Sequence, residues 1–305
     1  MKIFVTGVKG QLGYAVVAEA LKRKNEVIGS DIVSEAECDI DNKDNAGRQK
    51  YIQLDITEKD KVISVIKREK PDIIIHCAAW TAVDAAEAKE NQEKVNAINH
   101  LGTLYIAEAA RDIDAKVVYI STDYVFSGQG ERPWKPDDKC YSPLNIYGKS
   151  KLDGELVVSK ILKKYFILRI AWVFGLEGKN FIETMITVGK KYDTVRVVND
   201  QIGTPTYTVD LARLIIDMIE TEKYGYYHVT NEGGYISWYD FCVEFYKQYG
   251  LMTKVIPVTT EEYGISKAVR PKNSRLEKSK LREAGFLPLP PWQDAVSRYL
   301  KEAKL

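Results

Sequence analysis

A tyrosine four residues before a lysine can do proton chemistry if both lie on one helix, where positions i and i+4 share a face. A neighbouring ammonium favours the phenolate, so the tyrosine can exchange a proton with a carbonyl or hydroxyl oxygen near neutral pH. The chain has this spacing twice, at Tyr147/Lys151 and at Tyr263/Lys267. With 19 tyrosines and 32 lysines in 305 residues, about two such pairs arise by chance, so spacing alone selects neither.

Context selects Tyr147. It follows by about one loop the apolar run 115–121, which ends in Ser121, Thr122, Asp123 and Tyr124. Thr122 then sits at the carboxyl end of a strand, where doubly wound folds bind their ligands. Its hydroxyl can bond the same oxygen that Tyr147 protonates. Tyr263 has no such strand before it and is read as packing or surface.

A second constellation opens the chain. Gly7, Gly10 and Gly13 follow the strand-like run 3–6 and precede the helical pattern 11–22. The first glycine permits a tight turn, the second lets backbone approach a pyrophosphate, and the third allows close helix–strand packing. Gln11 and Leu12 then open a helix whose N-terminus suits phosphate. Asp31, 18 residues past Gly13, ends the second strand and suits the two ribose hydroxyls of NADH. Asp55 and Ile56 fit an adenine-side contact. Ala78 and Ala79 are small enough for backbone to approach the cofactor.

These residues need a particular scaffold. Apolar runs at 3–6, 26–30, 51–54, 72–77 and 115–121 alternate with helical patterns at 11–22, 59–68 and 91–111, which implies βαβ units and a parallel sheet. A helix over 145–163 leads into a strand at 166–171. The expected fold is a Rossmann-type doubly wound parallel sheet with a smaller mixed α/β C-terminal lobe. Residues 1–172 form the dinucleotide-binding part and 173–305 the substrate lobe, with a soft boundary across which part of 194–222 could return. In the second part, helices are read at 181–190, 209–220, 237–249, 273–283 and 291–301, and strands at 194–198, 225–229 and 254–258. The polar stretch 34–49 reads as a surface loop.

Composition excludes other classes. A net charge of +1 argues against a dedicated nucleic-acid binder. Four scattered cysteines and three scattered histidines argue against a disulfide scaffold and a metal cluster. The run after Met1 lacks the features of a signal peptide, and no stretch reaches the roughly 20 apolar residues that span a bilayer. The expectation is a cytoplasmic protein with no membrane partner.

Gly7-x-x-Gly10-x-x-Gly13, Thr122 and Tyr147-x-x-x-Lys151, in this order, resemble the extended short-chain dehydrogenase/reductases. Longer stretches make the likeness narrower. They are 78–84, 121–126, 142–149, 200–206 and 270–276, and they are similar to the dTDP-4-dehydrorhamnose reductases. The related sugar-nucleotide dehydratases carry an acidic pair after the threonine, whereas here Asp123 and Tyr124 follow Thr122. Trp80 and Ala171 stand where the family often has His and Ser.

The resemblance implies NADH- or NADPH-dependent reduction of the C4 ketone of dTDP-4-dehydro-L-rhamnose. Tyr147 would donate the proton, Lys151 would lower the Tyr147 pKa and hold the nicotinamide ribose, and Thr122 would polarise the ketone. Thr81, Val83, Asp123, Tyr124 and Trp172 would line the nucleotide-sugar site, with Arg270 reaching the diphosphate. The resemblance also implies a monomer or homodimer, and in some members Mg2+ between subunits. Two other readings stay open. One is a non-catalytic regulatory homologue, like the β-subunit of an animal methionine adenosyltransferase. The other is a different sugar-nucleotide reductase or epimerase.

Overall fold

A computed structural model describes residues 1–35, 49–303 and 305. The polar stretch 34–49 therefore lies mostly outside the described residues. In chain order the strands are β1 (Lys2–Thr6), β2 (Glu26–Asp31), β3 (Gln49–Gln53), β4 (Ile73–His76), β5 (Lys116–Thr122), β6 (Tyr165–Ile170), β7 (Val173–Phe174), β8 (Thr194–Val198), β9 (Ile202–Gly203), β10 (Thr206–Tyr207), β11 (Gly225–His228), β12 (Ile236–Ser237) and β13 (Lys254–Val258). The α-helices are α1 (Gln11–Lys22), α2 (Lys59–Glu69), α3 (Val83–Ala86), α4 (Lys89–Asn96), α5 (Thr103–Asp112), α6 (Ile146–Ile161), α7 (Phe181–Lys191), α8 (Thr208–Ile219), α9 (Trp238–Tyr249), α10 (Thr260–Tyr263), α11 (Ser279–Glu283) and α12 (Trp292–Glu302).

Seven strands form one parallel sheet in the order β11-β6-β5-β4-β1-β2-β3. The order reverses direction between β1 and β4, and the crevice at that switch point is where such sheets bind ligands. The central strands are apolar on both faces because both are covered. Ile3 and Val5 of β1 join one core with α1 and α8, whereas Phe4 joins the other with α2, α5 and α6. Alternation along a strand sends neighbouring side chains to opposite layers.

A third core holds the remaining elements together. Phe174, Ile182, Ile186, Phe241, Phe245, Trp292 and Tyr299 pack within it, joining α7, α9 and α12. The two-stranded pair β8–β13 lies beside this core.

Three expectations need correction. The strand at 225–229, read as part of the second lobe, is the edge strand of the main sheet, in register with β6 from Gly225↔Phe166 to His228↔Arg169. The helix before it, α8, packs on α1, so the return of the chain to the first lobe extends past residue 222. A sheet edge left open at β6 is covered by this late strand, a pairing that local pattern does not reveal.

The helix read at 91–111 is interrupted. A π-helical turn at Ala97–Gly102 joins α4 to α5. It carries the buried Asn99, whose side chain bonds both backbone groups of Trp80, receiving Trp80 N–H at 2.8 Å and donating to Trp80 O at 3.1 Å. The helix read at 273–283 is only the five residues of α11. Asn273 and Ser274 instead donate backbone N–H bonds to Gly128 and Ile202, and these tertiary bonds override the helical pattern.

Candidate active site

The glycine turn forms as its residue types require. Gly7 has φ +71°, a conformation that costs other residues strain. A Cβ there would approach Ala78 N to 2.6 Å, and one on Gly13 would approach Gly7 O to 2.1 Å. The turn is thereby pressed against both the β4 loop and its own helix. Gly10 caps α1 without a side-chain bond, leaving the first helical turn open to an anion.

Asp31 sits at the end of β2. Its carboxylate accepts backbone N–H bonds from Lys9 at 2.9 Å and Ile32 at 2.8 Å. Asp55 accepts from the Thr57 N–H at 2.9 Å and the Thr57 hydroxyl at 2.8 Å.

The proton-transfer group lies across the switch point. Thr122 closes β5 and caps a short turn, accepting from Tyr124 N–H at 3.2 Å while donating to Asp123 Oδ1 at 3.0 Å. Asn145 caps α6 through Gly148 N–H at 2.8 Å, which sets the first turn that carries Tyr147. Tyr147 meets Tyr124 edge-on at 5.8 Å between ring centres. Lys151, one turn further on, is buried, with its ammonium 4.2 Å from the centre of the Tyr119 ring. Glu155, another turn along, is locked by Arg169 in a fully buried pair, with Arg169 Nε and Nη2 each donating at 2.8 Å. The Ser150 hydroxyl donates to Tyr147 O, and the Asn99 amide donates to Ser150 Oγ. The helix is thus tied to the π-turn and through it to the Trp80 loop.

Burial governs the electrostatics. It pushes Tyr147 well above the ordinary phenol range, with Asp123 adding to the rise and a Thr122 hydrogen bond opposing it. It pulls Lys151 down to about 7, while Glu155 favours the charged form. It raises Asp123 to about 6 against hydrogen bonds from Ser274 and Thr122. Burial therefore outweighs the other influences on the Tyr147 phenol. Burial weakens the lysine's own charge and keeps the phenol protonated.

All of these groups open onto one cavity of about 690 Å3. It runs from Asp31, Asp55 and Ile56 past Gly7, Gly10, Gln11, Leu12 and Gly13 to Ala78, Ala79, Thr81 and Val83. At its far end stand Thr122, Asp123, Tyr124, Tyr147, Lys151 and Trp172. A dinucleotide fits this wall. The glycine cradle leaves no space for a Cβ at Gly7 or Gly13, and the buried Gln11 Oε1 has no hydrogen-bond partner. Among the described residues, no group of three or more His, Cys, Asp and Glu side chains could hold a metal ion, so no magnesium site is assigned.

Arg270 is the one expected residue outside the cavity wall. It donates to Asp84 Oδ2 at 2.6 Å and to the Tyr124 hydroxyl at 3.3 Å, so it stands one side chain behind the lining. Sequence reasoning missed Trp238, Lys179 and Asn99. The first two line the cavity, and Gln11 Nε2 donates to Lys179 O at 3.2 Å. None of them belongs to a recognisable spacing. Only the fold brings Trp238 and Lys179 to the cavity and Asn99 to the Trp80 loop.

Comparison with known proteins agrees with this architecture. The family model described as RmlD substrate binding domain matches residues 1–305. The spore coat polysaccharide biosynthesis protein SpsK of Bacillus subtilis is 38% identical over 99% of this chain and 97% of its own. A crystal structure of a dTDP-4-dehydrorhamnose reductase from Clostridium acetobutylicum has a TM-score of 0.88 and 39% identity, covering 99% of both chains. One from Bacillus anthracis, in complex with NADP, has a TM-score of 0.85 and 38% identity, again over 99% of both chains. The chain belongs to the RmlD substrate binding domain family, within the extended short-chain dehydrogenase/reductases, a family of nicotinamide-dependent oxidoreductases.

Proposed function

We propose that this protein reduces the C4 ketone of dTDP-4-dehydro-L-rhamnose to the alcohol of dTDP-L-rhamnose, with NADH preferred as reductant. The carrying observation is that Thr122, Tyr147 and Lys151 open onto the same cavity as the glycine turn and Asp31. The names of its relatives point to the same substrate.

The reduced nicotinamide would supply the hydride for C4. The chain's own groups do the rest. Gly7 to Gly13 and the first turn of α1 receive the pyrophosphate. The Asp31 carboxylate accepts from the ribose hydroxyls and repels a 2′-phosphate. At the other end, the Thr122 hydroxyl turns from Asp123 to donate to the ketone oxygen. Tyr147, held protonated by burial, gives its proton to that oxygen as charge develops, which suits the reductive direction. The Lys151 ammonium would hold the nicotinamide ribose, and its positive charge offsets the negative charge of the phenolate that remains. Trp172, Tyr124 and Asp123 frame the sugar. The sheet half thus serves the cofactor, and α7, α9 and α12 back the substrate end.

The test is turnover of a panel of 4-keto-6-deoxy sugar nucleotides by purified protein, with NADH and NADPH in parallel. Cofactor oxidation with the dTDP sugar is expected, with higher kcat/KM for NADH. Asp31→Ser should then move the ratio toward NADPH by roughly tenfold, the size of one lost or gained charged contact. The NADP bound to the Bacillus anthracis relative makes this preference the sharpest point of the reading. Absence of turnover on every sugar nucleotide would overturn it.

A further inference from the structure

We propose that Trp238 is a positioning residue that sets substrate specificity, by holding the Trp172 indole as the wall against which the deoxy sugar packs; this rests on the sugar-nucleotide reading above. Trp172 is one of four non-glycine residues with positive φ among the described residues, at +51°. For a bulky side chain that conformation is a strained outlier, kept only where surroundings enforce it. The surroundings are visible. Trp172 O accepts from Thr206 N–H at 3.1 Å, and the preceding Ala171 O accepts from the Thr206 hydroxyl at 2.6 Å. Trp238, the first residue of α9, stacks on Trp172 with ring centres 3.9 Å apart and planes 18° from parallel. A Cβ on Gly203 would come within 3.0 Å of the Trp172 indole, so bare backbone lies against the ring there.

The pair stands beside the reacting end of the cavity. Ile170 is the strand partner of Thr122, and Trp172 lies two residues beyond it. Both indoles line the cavity. Behind them, Phe181 at 4.6 Å and Phe241 at 6.2 Å continue Trp238 into the third core. The position of the wall is therefore fixed from α9 rather than from β6 alone. Stacked indoles offer an apolar face, which suits a ring carrying a methyl in place of a hydroxymethyl group.

Trp238→Ala and Gly203→Ala perturb the wall in different ways. The first removes the support and the second pushes on the indole. Both are expected to raise KM for the 4-keto sugar nucleotide by about tenfold, the scale of one aromatic pair, with a smaller change in kcat. Cofactor affinity, measured by fluorescence titration, should stay unchanged. The exciton couplet of the stacked indoles in circular dichroism should disappear in Trp238→Ala and weaken in Gly203→Ala. Trp238→Phe should restore most of the KM, which also decides the matter if Trp238→Ala does not fold. If KM stays within twofold of wild type while the couplet is lost, the proposal fails. A wild type without a couplet overturns it as well. Wild-type inactivity on every sugar nucleotide removes the functional reading instead, a result separable because the couplet is read without substrate.

Discussion

Tyr147/Lys151 and Tyr263/Lys267 are the same four-residue spacing in two surroundings. The first pair lies on the 16-residue helix α6, capped by Asn145 and pinned through Ser150 to Asn99. The second begins at the last residue of the four-residue helix α10, which Gly264 ends at φ +64°. Lys267 falls beyond that stop, so the i, i+4 relation that would align it with Tyr263 does not exist. Tyr263 is exposed, whereas Lys151 is 3% exposed. The comparison teaches that the spacing carries chemistry only where a helix continues through it and burial tunes both groups.

The largest expected effect is that of Tyr147→Phe. It removes the proton donor and should lower kcat by roughly a hundred- to ten-thousandfold with cofactor affinity retained, as stopped-flow and binding titrations would show. Near-normal turnover would dissolve the distinction between the two pairs. Next is Lys151. Its pKa is pulled to about 7 from the ordinary 10.5, so the ammonium is lost as pH rises through that value. The kcat/KM for the sugar nucleotide should fall above about pH 7, and Lys151→Arg should move that limb to higher pH, because a guanidinium stays charged. Stability has the opposite slope. Between about pH 7 and 10.5 the unfolded chain binds the extra proton, so stability rises with pH across that window. Lys151→Met should therefore raise Tm at neutral pH while activity drops, and a lowered Tm would contradict the burial argument. The smallest effect belongs to Tyr263→Phe, for which kcat and KM should stay within about twofold of wild type, the range of surface changes.

Much of this arrangement is legible in the residues. Gly7 to Gly13, Asp31 and the apolar runs announce the parallel sheet, because close packing and phosphate approach demand those types at those places. α1, β8 and β13 fall at their expected bounds for the same reason: pattern and environment agree. What escapes reading depends on distant partners. β11 looks like any short strand until β6 needs an edge. Residues 273–278 have helical periodicity but pair with Gly128, Trp134 and Ile202. Burial is also invisible to spacing, yet it is the largest influence on the Tyr147 phenol and raises its pKa. Trp238 carries no motif at all. Its importance comes from the backbone strain of a residue 66 positions earlier.

The late edge strand has a consequence for biosynthesis. The six strands β1 to β6 are complete once residue 170 has been made, yet the flank of β6 and the α1 face that α8 covers stay bare until residue 228 emerges. A growing chain thus carries an unpaired strand and an apolar patch for nearly sixty further residues of synthesis, at the stage when exposed edges invite aggregation. Release of a chain truncated between these points would leave that surface permanently exposed, so the reductase scaffold is not divisible into a free-standing nucleotide module at the place where its sequence first looks complete.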